Sequence, residues 1–136
     1  MQDYLQPRLE DAAIGQLSAL ALAHIGDGVY ELMTRGLLVT GGLRTARSLH
    51  DQTIRLVRAA AQYQAAQIIL PLLDEEEQAV FRHGRNAKPK TVPKSASQAE
   101  YAYATALEAL FGWLFLKGRY DRLNGLYHEI AQRWQS

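Results

Sequence analysis

The chain has 136 residues, no cysteine, and 15 Lys and Arg against 14 Asp and Glu. That length suits one domain with a hydrophobic core but not a catalytic domain with an appended binding domain, so residues 1–136 are expected to form a single unit. The lack of cysteine excludes disulfides and thiolate metal centres, and with no basic-then-apolar leader after Met1 the expected location is the cytoplasm.

Apolar residues recur at helical spacing through most of the chain, and no run alternates long enough for a strand, which predicts an all-α fold built as a compact helical bundle. The first long helix is expected from Gly15 to Val39, ended by Gly41 and Gly42, where left-handed backbone carries no side-chain penalty. Thr45 suits the N-cap of a short second helix. Ile54, Val57, Tyr63, Ala66 and Ile69 predict a third from Thr53, stopping before Pro71 because the residue preceding proline avoids helical geometry. Asp74 and Glu77 have capping-box spacing, which opens a fourth helix reaching His83 or Gly84. Residues 85–97 then read as a long, basic, mobile loop, a length that usually signals function. Ser97 and Glu100 form a second capping box, opening an apolar helix that Gly118 ends, and a last helix runs from Tyr120 to Trp134. The apolar stretch Tyr101–Leu116 is shorter than the roughly 20 residues a bilayer span needs and contains a charge, so no membrane anchor is expected.

Two carboxylates stand out. On a helical wheel of the first long helix, Leu22, Ile25, Val29, Leu32 and Met33 form the expected core face, and Asp27 lies opposite with Tyr30, Glu31 and Thr34. A helical carboxylate on that side ordinarily only meets solvent. Gly26 and Gly28 argue for more, since mid-helix glycine costs about 1 kcal/mol relative to alanine and so implies close approach of another helix or a ligand. Glu108 is the sole charge between Tyr101 and Leu116, in a helix apolar on every face. Buried there, it must take a proton, a cationic side chain or a metal ion, and two carboxylates from different helices form an oxygen site suited to magnesium. His24 and His50 have no triad-type partners in sequence and are read as structural.

The segment from Leu22 to Glu31, centred on Gly26-Asp27-Gly28, resembles the signature helix of the ribonuclease III superfamily, and Thr105 to Gly112 resembles its second acidic motif. The basic run Arg82-His83-Gly84-Arg85-Asn86-Ala87-Lys88 is similar to the Mini-III branch, which lacks a double-stranded-RNA-binding domain. Larger ribonuclease III enzymes carry two further acids where this chain has Ala23 and Thr105, so the reduced site also fits that branch.

The resemblance implies a homodimeric endonuclease of double-stranded RNA, with Asp27 and Glu108 catalytic and binding magnesium, or manganese in its place. It further implies 5′-phosphate and 3′-hydroxyl products with short 3′ overhangs, and precursor 23S ribosomal RNA as substrate. Glu31 is a candidate for orienting water beside Asp27. No acid lies between Glu77 and Glu100, so Arg82, Arg85, Asn86 and Lys88 are the expected phosphate contacts, with Arg55 and Arg58, one helical turn apart on the third helix, as secondary ones. The competing readings are a non-catalytic RNA-binding dimer of the same fold and a purely structural bundle.

Overall fold

A computed structural model describes residues 1–87 and 97–135, the last without its side chain. Its helices are α1 (Asp11–Gly15), α2 (Ala19–Thr40), α3 (Ala46–Val57), α4 (Ala59–Ile69), α5 (Glu75–Arg85), α6 (Gln98–Leu116) and α7 (Tyr120–Gln135), with a 3-10 turn at Leu70–Leu72 after α4. Among the described residues there is no strand, as the helical periodicity predicts.

The caps sit where the sequence puts them. Asp74 accepts from the Glu77 backbone at 2.8 Å while the Glu77 side chain accepts from the Asp74 backbone at 3.0 Å. Ser97 and Glu100 repeat the arrangement at α6, with both bonds at 3.1 Å. Thr45 accepts from the Ser48 backbone at 3.2 Å. Left-handed backbone occurs at Gly42 (φ 112°) and Gly118 (φ 73°), after α2 and α6. Each such residue releases the chain from its helix and lets it reverse.

Three boundaries differ from expectation. The first long helix starts at Ala19, because the Ser18 hydroxyl accepts from the Ala21 backbone at 3.0 Å and leaves Asp11–Gly15 as a separate turn. The second and third helices divide at Arg58 rather than before Thr53, which is buried inside α3. Arg58 is extended (φ −67°, ψ 159°), so it is not on a helix one turn from Arg55. α5 runs on to Arg85, taking the first residue of the expected loop; most of that loop, residues 88–96, lies outside the described residues.

α6 is the axis of the bundle, packed by α2, α4, α5 and α7, with buried residues from Ala104 to Leu114. Backbone contact makes this possible. A Cβ on Gly26 would fall 1.6 Å from the Glu108 carbonyl oxygen, and one on Gly112 would fall 2.0 Å from that of Leu22, so α2 and α6 cross with their main chains touching. At α5 a Cβ on Gly84 would meet the Ala106 Cα at 2.8 Å. The rings of Tyr30, Phe111 and Tyr127 fill the space beyond the first crossing, with centroids 5.2 Å and 5.6 Å from Tyr30.

That crossing also rotates α2 from its expected orientation. Ala23, Gly26, Tyr30 and Thr34 join the expected Leu22 and Val29 in the buried stripe, with Ile25 and Met33 partly buried against it, while Leu32, also expected in the core, is 64% exposed. Small residues carry little weight in a hydrophobic wheel, yet here they allow the closest approach. Asp27 therefore lies at the edge of the packed face rather than opposite it.

Candidate active site

The Gly26–Gly112 crossing brings the two sequence-predicted acids together. Glu108 leaves α6 at the residue whose carbonyl Gly26 touches, and Asp27 follows Gly26 on α2. Asp27 is exposed and Glu108 half-buried. Burial, then the Asp27 charge, and also direct hydrogen-bonding contact with Asp27 push the Glu108 carboxyl up to about 8. Two carboxylates forced into contact in a partly dry setting cannot both ionise without a counter-charge. None of the ion pairs among the described residues involves either acid.

A third side chain reaches the pair. Gln62, on the first turn of α4 and 2% exposed, donates from Nε2 to the Val57 carbonyl at 2.9 Å and to Glu108 Oε2 at 3.3 Å. Its Oε1 is buried with no hydrogen-bond partner. Sequence reasoning missed it, because a glutamine at a core position of an amphipathic helix looks like a boundary residue; its one signal was a polar side chain among the alanines of Ala59–Ala66. Tyr30, which the wheel set on the Asp27 side, is fully buried, its hydroxyl has no partner, and burial foremost, then Tyr127 and the charge of Glu108, raises its pKa.

The remaining expected residues divide. Glu31 is held by Arg35 at 2.9 Å across one helical turn, both side chains being well exposed. Arg82 and Arg85 are exposed on the last turns of α5, and Asn86 is its C-cap. Gly84 lies against Thr105, Ala106 and Ala109, which anchors that end of α5 to the stretch of α6 that carries Glu108. Lys88 lies outside the described residues. Arg55 is turned back to Gln52, with Nε 3.0 Å from Oε1, and borders a cavity of about 200 Å³ with Leu37, Leu38 and Trp134. Arg58 marks the break between α3 and α4, next to the Val57 carbonyl that holds Gln62.

The family model described as the ribonuclease III domain matches residues 20–119, which include both acids and the α5 basic turn. The Mini-ribonuclease 3 of Thermoanaerobacter sp. (strain X514) is 43% identical over 116 residues, 85% of this chain and 82% of that protein. The chain belongs to the Mini-III branch of the ribonuclease III family. The Mini-ribonuclease 3 of Symbiobacterium thermophilum is 44% identical, over 85% of this chain and 88% of that protein. A crystal structure of a Fusobacterium nucleatum protein superposes with a TM-score of 0.80 at 29% identity, covering 88% of this chain and 95% of that one.

Ala23 and Thr105, which the resemblance sets against the further acids of larger ribonuclease III enzymes, are both buried. The Thr105 hydroxyl donates to the Tyr101 carbonyl at 3.0 Å, so it is spent on its own helix. Among the described residues no third His, Asp or Glu gathers with Asp27 and Glu108 in a cluster that could hold a metal ion.

Proposed function

We propose that this endoribonuclease of the Mini-III type hydrolyses double-stranded RNA with the aid of a divalent cation, magnesium or manganese, held by Asp27 and Glu108. The observation that carries the reading is the pair itself: two carboxylates from different helices, pressed together at a glycine crossing, with no ion pair to either among the described residues. The donor set is all oxygen, and the buried, unpartnered Oε1 of Gln62 adds another oxygen beside it, which fits a hard cation. When bound, such an ion supplies positive charge for the phosphate oxygens and an ionisable water at neutral pH.

The chain's own residues do the rest. Asp27 and Glu108 would hold the ion; in the hydrolysis the water oxygen bonds to phosphorus, the bond to the 3′ oxygen breaks, and the proton passes to that oxygen. The products carry 5′-phosphate and 3′-hydroxyl ends. Arg82, Arg85 and Asn86 grip phosphates from the end of α5, Lys88, outside the described residues, is assigned the same role from the sequence, and Arg58 lies at the α3–α4 break. RNA duplexes are held largely through backbone and shape, which suits this set of donors.

One acid pair cuts one strand, so we assign a second copy to the other strand, leaving short 3′ overhangs. The exposed Leu20 and Leu32 of α2 and the apolar groove of about 310 Å³ that Leu32 shares with Ile25, Met33 and Phe115 support α2 as the surface that meets it. The substrate read from the resemblance is precursor 23S ribosomal RNA in the cytoplasm; no described helix is long and apolar enough to cross a membrane.

The test is incubation of a long RNA duplex with the protein, with and without magnesium, alongside Asp27→Asn and Glu108→Gln. Magnesium-dependent cutting by the wild type alone supports the reading. An intact duplex in magnesium, or equal cutting by either variant, sinks it.

A further inference from the structure

Gln62 is more buried than either acid, yet it spends its amide on two acceptors that lie on different elements. One is the Val57 carbonyl, 2.9 Å from Nε2. The other is Glu108 Oε2, at 3.3 Å. Val57 ends α3, and extended Arg58 keeps the helix from continuing, so the break presents a carbonyl toward α4. Because the Val57 carbonyl can only accept, the amide nitrogen must face it, and the same Nε2 then reaches Glu108 Oε2. The break between α3 and α4 thus fixes the glutamine, and the glutamine fixes one oxygen of Glu108.

A side chain whose role was only to tie α3 to α4 would need no acceptor on α6, whereas Nε2 also reaches Glu108, as expected if the amide serves the carboxylate. Carboxylate ligands of metal ions are commonly held in this way by a neighbouring donor, which fixes their direction before the ion arrives.

We propose that Gln62 is a positioning residue that sets the direction of the Glu108 carboxylate for cation binding, through the hydrogen bond from its Nε2. The inference rests on the two-carboxylate cation site proposed above. Its consequence is a dependence of ion affinity on a residue from a third helix, and through Val57 on the α3–α4 break.

The experiment is calorimetric titration of manganese into the wild type, Gln62→Met and Glu108→Gln, with duplex affinity measured in the absence of divalent ion and thermal melting of each protein. Gln62→Met keeps length and loses both donors. It is expected to weaken manganese binding about tenfold or more and to lower kcat, with duplex affinity and KM unchanged. A structural tie alone would lower the melting temperature and leave manganese affinity of the folded protein as it was, which overturns the proposal. Should the methionine variant unfold, Gln62→Asn, one methylene too short to span both acceptors, is read by the same criteria. If Glu108→Gln removes manganese binding while the Gln62 variants bind normally, the positioning role alone falls. Normal binding by Glu108→Gln overturns the cation site and the positioning role together.

Discussion

Glu77 and Glu108 are both glutamates drawn into the bundle, and their surroundings give them opposite characters. Glu77 is 1% exposed and meets Arg122 through both oxygens at 2.8 Å, with Arg122 also donating to the Leu72 carbonyl. The Arg122 hydrogen bonds hold its carboxyl below the ordinary carboxylate range despite burial. Glu108 is less buried but faces another acid and a neutral amide, and its carboxyl is pushed up to about 8. Burial alone therefore does not decide which glutamate stays charged; the partner does. One of these sites is complete as it stands and ties α5 to α7. The other is in electrostatic deficit, which stabilises nothing in the bare protein and favours whatever cation arrives.

Replacing each glutamate by glutamine should separate the two characters, and the larger effect is on activity at position 108. Glu108→Gln is expected to lower cleavage by about a thousandfold, roughly 4 kcal/mol of lost transition-state stabilisation. The same change should raise metal-free stability, by on the order of 1 kcal/mol at pH 8, because it removes a repelling, desolvated charge. The sign follows from the raised value: the folded state keeps a proton that the unfolded chain sheds near its model value of 4.5, so stability falls as pH rises from there toward 8. Melting curves of the chelator-treated protein between pH 5 and 8 should show this loss in the wild type and not in the variant. A flat wild-type profile would remove Glu108 from the deficit described above.

Next in size is the crossing that creates the deficit. Gly26→Ala would place a methyl group 1.6 Å from the Glu108 carbonyl oxygen, so α2 and α6 must separate. A loss of about 3 kcal/mol or more is expected, as for an overpacked core, with cleavage falling even where the protein remains folded. Gly36→Ala is the control on the same helix, with open space around its Cβ, and should raise stability by up to about 1 kcal/mol. Equal melting temperatures for the two alanine variants would show that backbone contact does not set the site.

At Glu77 the expected loss is about 2 kcal/mol for Glu77→Gln, below the range for a fully buried pair because Arg122 is partly exposed. Activity per folded molecule should not change. A depressed carboxyl stabilises the fold above its unfolded pKa, and that contribution disappears as pH falls through the folded value, so the variant should lose the acid-side part of the wild-type stability profile below about pH 4.5. Denaturant midpoints at pH 7 and pH 3 measure both claims.

Much of this contrast was legible in the sequence, and the part that was not has a common cause. Asp74 with Glu77 and Ser97 with Glu100 announce their helices because capping is a local bargain between residues three apart. Asp27 and Glu108 were legible as a pair through glycines on one helix and a lone charge on the other. What failed depended on contact between distant segments. The wheel of α2 put Leu32 inward because it weighs apolar bulk, whereas Gly26 and Gly112 decide how the helices meet by having none. The break at Arg58 has no proline or glycine to mark it, so Arg55 and Arg58 read as neighbours on one helix. Gln62 was invisible for the same reason: its meaning lies in Val57 and Glu108, which only the fold brings to it.

The smallest expected effect concerns cations rather than acids. Arg122 is committed to Glu77, but Arg85 sits exposed on the last turn of α5 and takes part in none of the ion pairs among the described residues. Loss of the first should therefore be felt as stability and loss of the second as RNA affinity. Arg85→Ala is expected to weaken duplex binding by about 1 kcal/mol, alike for duplexes of different sequence, and to reduce the slope of log affinity against log salt by up to about 1. Its melting temperature should match the wild type. Binding measured at several salt concentrations decides the point: an unchanged slope would mean that Arg85 meets no phosphate, and the duplex would then have to approach the acid pair from the α3–α4 side, where Arg58 stands.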